Sequence, residues 1–583
     1  MFKFKILILI AFFSKNLSTF GKIIPADNSV LHYNRIYFEE EFMDGASHYE
    51  LIYFDSIPGS QRGETIHLSG KLPAFETRDL KWNTTFYWYL KAYGKSKNIL
   101  SRGNLHRFEL LKVESQNKEF TRLVIKTNKS EKHAGGYICL DYSRSIYDRE
   151  GKVVWTIPVA EYMHPERNQI RDMKMTSENT ITFLNGNFPL EIDLEGNILW
   201  AAPYPYVINA DTVFYHHDFK KTPRGTYMVM GNKRAYRKVI GNYPIEKLNR
   251  EFEVKLVDGQ IYCKVLMNCI LEFNKEGKLI WLWDANDYIT DEDLNFKKGP
   301  MKIPGFATHA NAFSENEAGT KVYVGFRDLS RIVRIDKKSK KVEQSYGEKY
   351  PSGDAQLGAD LFRRQHDATI TKRQTILLLN NNSPPGGGGG VSSVMEIKEN
   401  GLVSDSLVVW KLNLNFDTLT DGKSISGGDV VELPNSNLLV CAGLLNRLFE
   451  VSRKKEIVWD AFVQAKRDEE TEWRNSPQYR CNWVKELKWI HFLCREQSFK
   501  KKGKELEYTL NIYNTGSHPD HYIVDLVNEN STSLLKTETK PVKPGSNLKH
   551  TLTINEKDLQ SKELLVIIKS KQASDFKILK ISK

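Results

Sequence analysis

The chain has 583 residues, a formal net charge of +12 and a pI near 9.0. It is too long for one ordinary hydrophobic core, so several domains are expected. The charge suits nucleic acid, an anionic small substrate or an anionic surface, but the lysines are scattered rather than clustered, which argues against nucleic acid. A solvated lysine-rich surface accounts for the same charge.

The chain opens with MFKFKILILIAFF, two lysines and a short apolar run followed by polar residues. That run is too short to span a bilayer as a stable helix, so residues 1–21 read as a signal peptide and the protein as exported, periplasmic or secreted. No later segment is apolar and long enough to cross a membrane. Export also makes nucleic acid a poor partner. Residues 26–130 alternate in YELIYFDS, TIHLSG, TTFYWYLKAYG and FTRLVIKTN, the short-strand spacing of a fibronectin-like or immunoglobulin-like β-domain. Asn83, Asn128 and Asn530 stand in glycosylation sequons, which matter only in a glycosylating host.

From 136 to 490 a pattern repeats. Gly151 precedes Trp155 by four residues, Gly196 precedes Trp200, Gly277 precedes Trp281 and Lys455 precedes Trp459, with Trp410 closing a looser version. Six units of roughly 30 to 70 residues begin near Gly136, Arg171, His217, His309, His366 and Gly428, each a set of short strands between turn residues. Six such units predict an all-β fold, a six-bladed β-propeller with an N-terminal β-sandwich-like domain and a C-terminal β-sandwich-like module. Its central channel would be lined by the innermost strand of every blade. His217, His309 and His366 open equivalent segments of three units, so they are expected to converge at one end of that channel. A single histidine at a strand start is an ordinary structural residue; three at matching positions argue for a site. Asp218 and Asp367 follow their histidines, but Asp172 and Asp429 recur without one, which favours strand or turn hydrogen bonding over catalysis. The tryptophans read as core or blade caps. Gly386 to Gly390 form a loop that passively connects strands or covers the channel mouth.

Six cysteines in an exported chain permit disulfides. Cys263 and Cys269 are closest, though bonding them requires a turn around Met267 and Asn268. Cys139, Cys441, Cys481 and Cys494 have no evident pairing and no zinc-site spacing. Residues 497–583, with LEYTLNIYN, HYIVDLVNE, HTLTIN and ELLVIIKS, read as a second β-sandwich-like module. Neither flank holds a catalytic cluster.

The set HHDFKKTPRGTYMVMG, FATHANAFSENEAGTKVYVGFRDLSRIVRID, QHDATI and GGDVVELPNSNLLVCAG resembles the bacterial arylsulfate sulfotransferase family, the type independent of phosphoadenosine phosphosulfate, over residues 136 to 490. The order and spacing of the motifs together make the match specific. The resemblance implies an exported six-bladed propeller that moves a sulfuryl group from a phenolic sulfate ester to a phenolic acceptor through a sulfohistidine, an activity of EC class 2.8.2. It also implies that His366 is the nucleophile and that His309, Asn311, Arg327 and His217 are its partners, with His216 an alternative to His217. No cofactor and no metal is implied. The expected partners are small phenolic donors and acceptors, and the oligomeric state, homodimer included, stays open.

The chemistry is consistent with those residue types. A neutral imidazole is a nucleophile near neutral pH, an arginine fork fits a tetrahedral oxyanion, an asparagine adds an amide donor, and the other histidines handle the phenol proton. Without the resemblance, Arg327 reads more readily as an ordinary salt-bridge partner than as a catalytic group. Two other classes compete. Three histidines with an open position could hold zinc in a metal-dependent hydrolase or lyase, and a propeller could bind a glycan or protein without catalysis.

Overall fold

The structure, a computed structural model, describes residues 23–55, 65–114, 118–158, 169–208, 211–296, 308–352, 356–357, 360–384, 389–400, 407–467, 469–503, 505–530, 532–555, 564–572 and 576–581. Residues 1–21, expected to be a leader, and Gly386 to Gly388 lie outside them. The described residues are nearly all β, as the pattern of short strands requires. No helix among them is long and apolar enough to cross a membrane. The chain divides into two units, one formed by Met1–Lys112 with Leu487–Lys583 and the other by Val113–Glu486.

In the first unit, strand Thr84–Tyr93 illustrates how sequence makes sheet. Phe86, Trp88, Leu90 and Ala92 are buried and the residues between them are not, so the side-chain period of two puts every second residue into one core. Around it run Ser29–Leu31, His106–Leu110, His48–Phe54 and Thr65–Gly70, closed over Phe38, Leu51, Trp88 and Phe108. After Leu487, a three-stranded sheet built on Glu505–Asn514 and a four-stranded sheet built on Tyr522–Asn528 share a core of Tyr508, Ile512, Val524 and Val566. This is a two-sheet sandwich. Its first strand, Phe492–Lys502, begins a few residues before the expected boundary at 497.

Among the described residues, the second unit holds six sheets. The second, fourth and fifth start with strands Ile170–Met175, Ala310–Glu315 and His366–Ile370 and continue in chain order, while the third runs Tyr206–Ile208, Asp211–Lys221, Tyr227–Lys238, Gln260–Phe273, Glu253–Val257, with Leu279–Asp284 also paired to Gln260–Phe273. The sixth starts with Asp429–Glu432 and runs to Ile457–Lys466, with which Arg474–Asn475 and Phe120–Asn128 both pair. The first is built from both ends of the unit, since Cys481–Val484 pairs with Tyr137–Leu140, in the order Leu140↔Cys481 to Tyr137↔Val484. Strand Phe120–Asn128, expected from its alternation to belong to the N-terminal domain, pairs along Ile457–Lys466 instead. That alternation is as good on this sheet edge as in a sandwich, so pattern could not choose between them. Interior strands such as Thr375–Asn380 are buried almost throughout because both faces of the sheet are covered.

One set of hydrogen bonds ties each sheet to the next, and a second set adds to it at four of the junctions. Near the strand starts, Asp141 accepts from the Asp172 backbone N–H (3.1 Å), Asp172 from Phe219 (2.7 Å) and Asp218 from Phe313 (2.9 Å). Asn311 then donates to the Gln365 carbonyl (2.9 Å), while Asp367 accepts from Val430 (3.4 Å) and Asp429 from Cys481 (3.1 Å). The circuit returns to the first sheet. Farther out, Trp155 donates to the Leu194 carbonyl, Trp281 to Lys337, Trp410 to Arg453 and Trp459 to Arg149, at 2.8 to 2.9 Å. Trp200 instead stacks on Tyr227 at 3.9 Å. The Gly-to-Trp spacing therefore has a cause. The turn before each outer strand is held by Asp148, Asp193 or Asn274, each accepting two backbone N–H groups, with Gly151, Gly196 and Gly277 at left-handed φ. The tryptophan four residues on then reaches the neighbouring sheet.

Cys263 and Cys269 do not meet. Both lie in Gln260–Phe273, one strand paired with Tyr227–Lys238 through Arg237↔Cys263 and Gly231↔Cys269. Met267 and Asn268 are mid-strand rather than in a turn, and all six cysteines are free thiols.

Asp218 is buried and pairs with Lys174 (2.7 Å) as well as the Phe313 N–H. Asp218→Ala removes one partner from a buried ionic cluster and is expected to destabilise the protein by about 3–5 kcal/mol. Urea unfolding monitored by tryptophan fluorescence measures it.

Candidate functional site

At or just before the starts of their strands stand Arg171–Asp172, His309 with Asn311, His366–Asp367, Gly428–Asp429 and Tyr479–Arg480, while His217–Asp218 lie within strand Asp211–Lys221. Several of these strands carry a register irregularity at this point, between Arg171 and Lys174, Tyr215 and Phe219, Ala310 and Ala312, and His366 and Thr369. Asp172, His217, His309 and Asp367 have φ of 58°, 58°, 49° and 51°. This left-handed conformation is costly for a side chain with a Cβ. A bulge of this kind re-aims side chains, and such strain gathers where function needs an unusual direction.

The histidines meet. His217 Nε2 lies 3.2 Å from His309 Nε2, and their ring centroids are 5.0 Å apart. His217 Nδ1 lies 2.5 Å from His216 Nδ1, so both members of the HH pair join the cluster. Tyr479 connects His366 to them, with its ring centroid 5.1 Å from His366 and 6.2 Å from His217. Among the described residues, its buried hydroxyl has no hydrogen-bond partner. Arg171 and Arg480 lie over the same ring at 5.9 and 5.5 Å.

His366 is 2% exposed and its Nδ1 is 2.6 Å from the Gly428 carbonyl oxygen. A carbonyl only accepts, so the ring proton is on Nδ1. Burial, together with the positive charge of Arg480 and Arg327, holds the imidazole's pKa well below the ordinary value. It is thus neutral at pH 7 and Nε2 keeps its lone pair. Burial also pushes His216 down to about 4 and His217 well down, reinforced by His309 beside both.

Arg327 occupies the first position after strand Lys321–Phe326. Its guanidinium pairs with Asp328 (2.9 Å), which also takes Arg364 (2.7 Å) and His309 Nδ1 (3.4 Å). Burial alone would raise the Asp328 pKa, but these three partners outweigh it and hold the carboxylate well below the usual range. Asn311 is placed differently from the expectation. It is fully buried and its Nδ2 donates to the Gln365 carbonyl, which makes it a link between sheets. The fourth sheet uses it where its neighbours use aspartate.

Tyr479, Arg171 and Asp328 are site residues that the sequence did not single out. YRCNWV has the same frame as the other units, a polar pair before a short strand, and that was the available signal for Tyr479. Among the described residues, no three His, Cys, Asp or Glu side chains group as ligands of one ion.

Residues 140–387 match the model of the arylsulfotransferase (ASST) family. No curated protein matches the chain. Among solved structures, it is similar to Kluyvelomyces marxianus Hsv2, at 8% identity over 67% of this chain and 94% of that one, with a TM-score of 0.23. It is also similar to Kuenenia stuttgartiensis hydrazine synthase, at 10% identity over 56% of this chain and 80% of that one, with a TM-score of 0.20. Likenesses this distant carry no argument.

Three depressed histidine pKa values make stability depend on pH. Above the unfolded value of about 6.5 the rings are neutral in both states and the full stability is present. As pH falls from about 6.5 toward 4, the unfolded chain binds protons that the folded chain refuses, and stability is lost. His366→Gln is expected to flatten this loss by one proton, about 1.4 kcal/mol per pH unit, in urea unfolding series at pH 7.5, 6 and 5.

Proposed function

We propose that this chain, a member of the arylsulfotransferase family through residues 140–387, transfers a sulfuryl group from a phenolic sulfate ester to a phenolic acceptor by way of a sulfated His366. The observation that carries this reading is the state of His366, with Nδ1–H committed to Gly428 and an unprotonated Nε2 beside Tyr479 and the other histidines. In the first half-reaction the Nε2 lone pair attacks sulfur and the aryl oxygen leaves with its electron pair. In the second, an acceptor phenol oxygen takes the sulfur and the lone pair returns to His366.

Arg327 and Arg171 are proposed to meet the sulfonate oxygens, since the Arg327 backbone N–H donates to the His309 carbonyl at 2.9 Å, Arg171 lies over the Tyr479 ring, and a guanidinium stays charged throughout. His217 and His309 are proposed to handle the phenol proton, and the unpartnered Tyr479 hydroxyl to donate to the substrate. Asn311 is proposed to hold the Gln365–His366 backbone in place. The reaction is proposed to need no phosphoadenosine phosphosulfate.

We further propose that the six sheets are blades of one propeller, closed where Cys481–Val484 joins Tyr137–Leu140, with the circuit of aspartate links round its axis. The N-terminal and C-terminal β-modules are proposed to contribute no catalytic groups. The leader at 1–21 is proposed to direct export.

Incubation with p-nitrophenyl sulfate, with and without phenol, tests the reading. Wild-type protein is expected to release p-nitrophenol faster when phenol is present and to follow ping-pong kinetics. Protein quenched with donor alone should carry one added SO3 group on the peptide containing His366. His366→Ala should abolish both, and Arg327→Ala should slow transfer by about 10²- to 10³-fold, as for loss of an oxyanion donor. Full activity in His366→Ala, or an adduct on another peptide, would reject His366 as nucleophile.

A further inference from the structure

Asn268 lies mid-strand in Gln260–Phe273 and is 2% exposed. One end of its amide is 3.0 Å from the Ala310 backbone N and 2.5 Å from the Thr308 hydroxyl. A backbone N–H only donates, so that end is the carbonyl oxygen and the other is the NH2. The NH2 points to Asn232 Oδ1 (2.5 Å) and His216 Nε2 (3.3 Å).

The tautomers of three rings follow by elimination. His216 Nε2 accepts, so the proton of the neutral ring is on Nδ1. His217 Nδ1, at 2.5 Å, must then accept, which places the proton of that ring on Nε2. His309 Nε2, at 3.2 Å, accepts in turn, and the His309 proton sits on Nδ1 facing Asp328 at 3.4 Å. One asparagine orients three imidazoles. At the His217–His309 junction an N–H donor now faces a lone pair, and a phenol hydroxyl, which both accepts and donates, complements that pair.

We propose that Asn268 is a positioning residue that sets this donor–acceptor pair for the hydroxyl of a phenolic acceptor, with Asp328 holding the His309 imidazolium that results. The proposal rests on the sulfuryl-transfer reading. In the acceptor half-reaction the phenol O–H bond breaks, its proton goes to His309 Nε2, its oxygen bonds sulfur, and the S–Nε2 bond of His366 breaks with its electron pair returning to nitrogen. In the donor half-reaction the O–S bond breaks, His366 Nε2 bonds sulfur and the aryl oxygen leaves with its electron pair as a phenolate that takes a proton from water. After the acceptor half-reaction His309 Nε2 gives its proton back to water. The proton count balances over the cycle.

Asn268→Asp tests it, because aspartate keeps an acceptor for Ala310 and Thr308 but presents a second acceptor to His216. Histidine tautomers are read by long-range 1H–15N correlation at pH 8 in full-length protein, with His216→Gln and His217→Gln assigning the signals. Wild-type His217 should carry its proton on Nε2, and in Asn268→Asp it should move to Nδ1. With p-nitrophenyl sulfate the variant should still give a burst of p-nitrophenol, because that phenolate departs without needing a proton, while turnover with phenol falls on the order of 10²-fold. A wild-type His217 protonated on Nδ1 overturns the proposal even if the variant fails to fold. So does an Asn268→Asp protein with unchanged tautomers or wild-type transfer to phenol. If wild-type protein releases no p-nitrophenol, the sulfuryl-transfer reading fails. The tautomers then decide the role of Asn268 by themselves.

Discussion

The second unit is organised around one buried guanidinium. Arg480 Nη1 lies 2.7 Å from Asp172 and 3.5 Å from both Asp218 and Asp367, and its Nη2 donates to the Asn311 carbonyl at 2.6 Å. Those four partners belong to four different sheets. Burial works against the charge, but the three carboxylates outweigh it and the guanidinium is held more firmly protonated than usual. Without it, several buried carboxylates would face one another with Lys174 and Lys220 as their remaining cations. Each aspartate spends its other interactions on a backbone N–H of the next sheet, so charge balance at the centre and sheet-to-sheet linkage are the same set of atoms.

This arrangement reaches the histidines through the backbone. His217 and His366 directly precede Asp218 and Asp367, and an anchored aspartate fixes the residue beside it. The left-handed φ values at His217, His309 and Asp367 persist because the surrounding bonds over-determine them. The positive charge of Arg480 also falls on His366 and disfavours its protonation. A structural cation thus helps to keep a nearby imidazole neutral, and that effect needs no contact with a substrate.

Much of this circuit is legible in the amino-acid sequence. The recurrence of Asp172, Asp218, Asp367 and Asp429 with and without histidine points to hydrogen bonding, and those residues do link neighbouring sheets. The Gly-to-Trp spacing marks real turns and outer strands, because an Asx-type turn and a tryptophan reaching the next sheet are local in sequence. Tyr479 and Arg480 are not legible in the same way. Their strand belongs to the first sheet yet lies at the far end of the unit, so counting repeats from Gly136 leaves the inner strand of that sheet out. Asn311 carries the residue type of a catalytic donor, and only its partner, the Gln365 carbonyl, assigns it to linkage.

What the sequence determined by itself is whatever has a short period: the alternation that makes strands, the turn chemistry that ends them, and the recurrence that puts histidines at matching places in successive units. Tertiary structure decided what depends on meetings across long stretches of chain. Leu140 pairs with Cys481, Phe120–Asn128 joins Ile457–Lys466, and Asn268 reaches His216. A strand edge accepts any strand of suitable alternation, and an imidazole accepts a proton on either nitrogen. In both cases local chemistry leaves two answers of nearly equal energy, and the neighbour delivered by the fold selects one.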